Sequence, residues 1–224
     1  MTIWRTTCAL YRREAGMIRR RRGPLAGILL FAIALLLIGQ VAFDPNPTET
    51  IALIPGLIWW AGLMASGLGL ARLWDAEGDA ALRDALLATS ADRGGMVLGK
   101  ALWGATLSFL VLGGTTVAAF FFFNPLFQSP NLGGLLLVLA VGALGLGALG
   151  ALFGAVAAGL PTRDLLLPLL LYPAVVPLLL GVVSLTAEVL DGGGIGGSWL
   201  KVVLVFDFVA LLAAVGLGEA AWEG

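Results

Sequence analysis

Histidine is absent from this 224-residue chain, and cysteine occurs once, at Cys8. Without an imidazole, histidine-based acid–base catalysis, histidine zinc sites and axial histidine ligation of haem are closed to it. A single cysteine excludes an intramolecular disulfide and any multi-cysteine metal centre, and Cys8 reads as a small apolar residue rather than a reactive thiol. Charge is scarce too: Asp, Glu, Lys and Arg make up 12% of the residues against 59% apolar ones, with 32 glycines. A soluble domain of this length does not have that balance. The chain also lacks a complete G-x-x-x-x-G-K-[ST] phosphate loop, so it cannot hydrolyse ATP alone.

What the chain has instead is six long apolar runs. A hydrocarbon slab of about 30 Å needs about 20 residues of helix, and the runs at 25–43, 51–71, 95–123, 132–160, 165–187 and 199–218 all reach that length. Continuous runs such as Leu165 to Leu171 and Leu135 to Val141 lack the alternation of barrel strands, and an open strand edge in lipid leaves backbone groups unpaired. All six are therefore expected to be helices. The first is expected to be an uncleaved signal anchor, because Gln40-Val41-Ala42 is a poor cleavage site. Twelve of the thirteen Lys and Arg residues fall on one side once the runs are laid across a membrane, beginning with Arg5, Arg12, Arg13, Arg19, Arg20, Arg21 and Arg22. Basic residues flanking early spans stay in the cytoplasm. The expectation is an all-α polytopic protein of a bacterial inner membrane, with six transmembrane helices and both termini cytoplasmic. Residues 1–24 would form a basic amphipathic interfacial helix, 25–218 the membrane domain and 219–224 a cytoplasmic tail.

Trp4, Cys8, Tyr11, Ala15 and Ile18 recur at helical spacing in the first segment. They predict either an apolar stripe at the headgroup boundary, with arginines near membrane lipid phosphates, or a basic anchor that only sets topology. The cytoplasmic connection 72–93 interleaves Leu73, Trp74, Leu82, Leu86 and Leu87 with Arg72, Asp75, Glu77, Asp79, Arg83 and Asp84. Its acids, Asp92 included, would be repelled by an anionic leaflet, so it reads as a segment for a protein partner, the alternative being a solvated link. Gly150 and Gly154 in the fourth run, and Gly62 and Ser66 in the second, give small-residue faces suited to close helix packing. Pro168, Pro173 and Pro177 predict a kinked or broken fifth helix that forms a hinge, borders a cavity or sets shape alone. Asp207 lies about 9 Å inside the start of the sixth helix. With Trp59 and Trp60 it is expected in a water-wetted outer vestibule, proton or substrate contact being the other reading. The tryptophan pair reads as an aromatic belt before a haem site.

Pro55-Gly56-Leu57-Ile58-Trp59-Trp60-Ala61, then Leu70-Ala71-Arg72-Leu73-Trp74, strongly resemble haem exporter protein B, the family of membrane permease subunits (CcmB) of the cytochrome c maturation ABC transporter. The likeness continues through the acidic connection, Val97-Leu98-Gly99-Lys100, and Arg163 followed by 165–180 with Tyr172-Pro173 and Pro177. Departures are an acidic connection that looks one residue short, Ala80-Ala81-Leu82-Arg83 within it, and Asp207 where a neutral residue is expected. The resemblance implies an ABC-2-type permease, not an enzyme, partnered by an ABC ATPase subunit, by other cytochrome c maturation membrane subunits and by a periplasmic haem chaperone. It implies ATP on the partner subunit, haem handled by the complex, no cofactor held by this chain and no nucleic-acid partner. In that setting Arg72, Trp74, Asp75, Glu77, Asp79, Leu82, Arg83 and Leu86 are the expected ATPase-coupling residues. A methionine such as Met64 stands as a possible axial haem ligand. Other readings are an ABC-2 exporter of a lipid or another small molecule and a non-transporting scaffold of the complex. An intramembrane enzyme lacks a histidine base and a carboxylate pair, since Asp207 stands alone within the spans.

Overall fold

A computed structural model describes residues 3–20, 23–43, 47–75, 92–123, 131–157 and 163–220, and every regular element among them is a helix. In chain order these are α1 (Ile3–Arg20), α2 (Gly23–Phe43), α3 (Pro47–Leu70), α4 (Arg93–Phe123), α5 (Leu132–Ala157), α6 (Arg163–Leu190) and α7 (Ser198–Ala220). Helices α2 to α7 each contain a stretch long and apolar enough to cross a membrane. The boundaries follow local chemistry. Asp92 Oδ1 accepts the Gly95 N–H at 2.7 Å and so caps α4, and Asn131 Oδ1 accepts the Gly134 N–H at 2.9 Å and caps α5. Gly192, at φ 84°, takes the left-handed conformation that ends α6, and the Gly193 N–H reaches back to the Glu188 carbonyl at 2.8 Å.

Helix α5 is the axis of the bundle. It packs on α4, α6 and α7 and touches α3, whereas α2 lies on the rim against α3 and α4. Burial follows: 78% of the apolar window of α5 is enclosed, against 17% of that of α2. The glycines of α5 act as sockets. Gly142 receives the Trp59 ring, Gly150 the Leu70 side chain and Gly154 the Trp74 indole, and Gly147 lies directly against the backbone of Ala101 and Ala105 in α4. A Cβ at Gly147 would collide with that backbone, so only glycine permits this helix separation. On α3, Gly62 meets Leu112 and Gly69 meets Leu107, so the expected small-residue face packs on α4.

The fold narrows two of the expectations. Helix α6 is continuous through Pro168, Pro173 and Pro177 rather than broken. Its buried line runs through Leu167, Leu171, Val175, Leu178, Val182, Leu185 and Val189, while Pro173 and Pro177 are exposed on another face. Helix α1 packs against α4. Thr6, Thr7, Leu10 and Glu14 are buried, and Thr7 Oγ1 donates to the Gly95 carbonyl of α4 at 3.0 Å. Gly95 and Gly99, four residues apart, allow the approach: a Cβ on Gly95 would lie 2.6 Å from the Ile3 carbonyl oxygen. The stripe of Trp4, Cys8, Tyr11 and Ala15 flanks this packed face, and Trp4 is exposed.

Candidate functional site

The chemistry of the bundle concentrates where the connection 72–93 leaves and re-enters it. Lys100, two turns into α4, is fully enclosed, and its ammonium donates to Glu14 Oε1 of α1 at 2.7 Å and to the Leu73 carbonyl in the turn after α3. It also stands 5.4 Å from the centre of the Trp74 ring, within cation–π range. Trp74 is itself buried and donates its indole N–H to the Ala151 carbonyl of α5 at 3.2 Å. One ammonium thus joins α1, the root of the connection and α4, and the indole beneath it extends the junction to α5. Tyr11 reinforces α1 on the same helix by an edge contact with Trp103 at 5.9 Å and a 3.1 Å hydrogen bond to Thr106.

Such a group is expensive to bury alone: a charge in the interior must be paired and its donors satisfied. The Lys100 ammonium meets both demands. The segment Gly94 to Lys100 also has the spacing of a phosphate loop up to its last position, where Ala101 stands in place of Ser or Thr. Here that segment is helix, its Gly95 amide is bonded to Asp92 and its lysine to Glu14, so its donors are already engaged.

The expected coupling residues divide. Arg72 and Asp75 are exposed in the turn Ala71 to Asp75, whereas Trp74 is an internal anchor and presents nothing to a partner. Glu77, Asp79, Leu82, Arg83 and Leu86 lie outside the described residues. The structure does not assemble the expected outer vestibule. Trp59 is buried, packs on Gly142 and donates to Thr186 Oγ1 at 2.8 Å, while its neighbour Trp60 faces outward beside Phe43 and Leu53. Asp207 is 5% exposed, with both carboxylate oxygens unpartnered among the described residues, and is turned into the gap that Gly145 leaves in α5, against Leu178 of α6. It lies nine residues into α7, about 13 Å by helical rise. Of the three prolines, Pro168 lines a cavity and Pro173 and Pro177 face outward. Met64 is half-buried against the core, and among the described residues no three His, Cys, Asp or Glu side chains gather as a metal site.

Lys100 and Glu14 were not among the expected site residues. A lone lysine inside an apolar run demands a partner, and Glu14 is the one acid in the first 43 residues. Those two facts were enough to suggest the pair.

A helical polytopic membrane protein, with a buried ionic junction at one end and an apolar axis, defines a class of integral membrane subunits. The model of the CcmB protein family matches residues 5–221, and the chain belongs to that family. Membership agrees with the resemblance seen in residues 55–74 and places the chain among transport permeases of ABC type in cytochrome c-type biogenesis rather than among enzymes. A comparison with curated proteins gave no match.

Proposed function

We propose that the chain is the ABC-2-type permease subunit of an inner-membrane haem-handling complex. Both termini are cytoplasmic, and the energy comes from ATP on a separate ATPase subunit. The observation that supports this reading is the Lys100 junction, which ties the root of the connection 72–93 to three helices at once. The ATPase docks on that connection. Leu82, Leu86 and Leu87 enter an apolar cleft of the partner, while Arg72, Asp75, Glu77, Asp79 and Arg83 fix the register by charge complementarity. Trp74 and Lys100 work behind the contact, as the fixed root. When the ATPase dimer closes, displacement of the connection is delivered through the ammonium to α1 and α4 and through the indole to α5. The bundle motion that results drives haem export or release of the haem-loaded periplasmic chaperone. Haem is substrate here; with no histidine in this chain, its imidazole ligands belong to other subunits or to the chaperone.

The test is to replace Leu82 and Leu86 together by Asp in the full complex. Co-purification of the ATPase and maturation of cytochrome c should both be lost while the permease still inserts. Unchanged co-purification and unchanged maturation would remove the docking assignment.

A further inference from the structure

A cavity of about 340 Å³ opens where α1 lies along α4, with Leu144 of α5 also in its lining. A second, of about 290 Å³, shares Ala105, Thr106 and Leu144 with it and follows the α4–α5 seam past Phe109 and Ala140. The two form one cleft on the outside of the bundle, with Leu102 and Leu144 exposed along it. Its far part is apolar, whereas its α1 end carries Trp4, Cys8, Tyr11 and Arg12.

The hydroxyls in the lining are engaged. Thr7 Oγ1 donates to backbone carbonyls, and the Tyr11 hydroxyl is bonded to Thr106, whose own hydroxyl donates to the Leu102 carbonyl at 2.9 Å. Arg12 is different: it is exposed, and its guanidinium makes no ion pair or hydrogen bond among the described residues. No carboxylate lines the cleft, and Glu14, two residues further along α1, is taken by Lys100. An unneutralised guanidinium therefore stands at one end of an apolar cleft, with Trp4, 70% exposed, about two turns back on the same helix.

A lone cation at the head of an apolar cleft matches an anionic amphiphile. We propose that this cleft holds an anionic phospholipid, phosphatidylglycerol. Its phosphate lies on the Arg12 guanidinium, whose paired N–H groups fit phosphate oxygens, and one acyl chain runs past Leu144 to Phe109 and Ala140. Trp4 suits the headgroup boundary, where an indole has one wet and one apolar side. The headgroup choice follows from charge. Phosphatidylethanolamine and phosphatidylcholine bring a second cation beside Arg12, with no carboxylate in the lining to receive it. Phosphatidylglycerol keeps its net negative charge for the guanidinium. The bound lipid joins α1 to the α4–α5 seam on the flank of the face that packs. The assignment goes beyond the docking reading and stands without it, since it concerns lipid held by the bundle itself.

The experiment is mass spectrometry of lipid retained by the full-length chain, purified in detergent after exposure to equal amounts of phosphatidylglycerol, phosphatidylethanolamine and phosphatidylcholine. Phosphatidylglycerol should be retained in preference. Arg12→Gln removes a charge-assisted contact and should lower its retention by about tenfold, erasing the preference. Arg5 is exposed on the same helix but outside the lining, so Arg5→Gln should leave both retention and preference unchanged. Leu144→Trp, which obstructs the passage between the two cavities and leaves Arg12 in place, should lower retention of all three lipids. Equal retention of the three lipids by the unmodified chain, equal losses from Arg5→Gln and Arg12→Gln, or retention insensitive to Leu144→Trp would each overturn the assignment. ATPase co-purification is read separately, so a failure of this site and a failure of docking are distinguishable.

Discussion

Lys100 and Asp207 are both withdrawn from water inside one bundle, and their surroundings are opposite. Around Lys100 stand a carboxylate, a backbone carbonyl and an indole face, drawn from α1 and the turn after α3. Around Asp207 stand the Gly145 gap and Leu178, and among the described residues neither carboxylate oxygen has a hydrogen-bond partner. The first arrangement is a junction: the charge is stable only while the three elements keep their places. The second is a tolerance: close helix packing around a glycine accommodates a carboxyl group and gains no polar contact from it. The basic end of the bundle is therefore held by specific bonds, and its middle by shape.

Five variants sharpen that contrast, beginning with the largest effect. Lys100→Met should be the most damaging. It strands Glu14 and the Leu73 carbonyl, at a cost of about 3–5 kcal/mol, read as a lowered midpoint of thermal unfolding of the purified complex. A smaller loss, about 1–3 kcal/mol from overpacking, is expected for Gly147→Ala, which drives a methyl group into the backbone of α4. Gly113→Ala meets no atom within 4 Å and should leave the same measurement unchanged. Asp207→Asn should stay within about 1 kcal/mol of the unmodified protein or stabilise it, because it removes a potential buried charge without breaking a bond. A loss as large as that of Lys100→Met would show that the carboxylate has a partner and erase the contrast. Last, Pro173→Ala with Pro177→Ala should leave the complex assembled and slow cytochrome c maturation, as a joint would. An unchanged rate would reduce the two outward-facing prolines to shape.

Much of this architecture was legible in the amino-acid order. Length and hydropathy specify spans in lipid, where helix is the low-cost answer for a lone segment, and the observed helices differ from the expected runs chiefly by a few residues at their ends. The glycine-rich fourth run likewise announced the axis, because small residues have little use except close approach. Facing directions were not legible. Trp59 and Trp60 are neighbours in the chain, yet one is buried against Gly142 and the other faces outward, and nothing in the pair itself distinguishes them. The same limit hid the burial of Trp74 and Asp207. Each is settled by a socket glycine on α5, far away in sequence. The hydrophobic stripe of α1 suggested lipid, while the face that packs carries Thr7 and Glu14, polar residues whose partners lie nearly ninety positions away.

In the proposed mechanism the Lys100 ammonium transmits displacement of the connection 72–93 to α1 and α4. It is tested most directly by replacing the ion pair with an apolar one, Lys100→Met together with Glu14→Leu, which restores packing without the ionic tie. The complex should then assemble and hydrolyse ATP, but cytochrome c maturation should fall sharply, as hydrolysis is uncoupled from the bundle. Maturation at the unmodified rate, with ATPase activity and assembly intact, would show that the ion pair carries no motion.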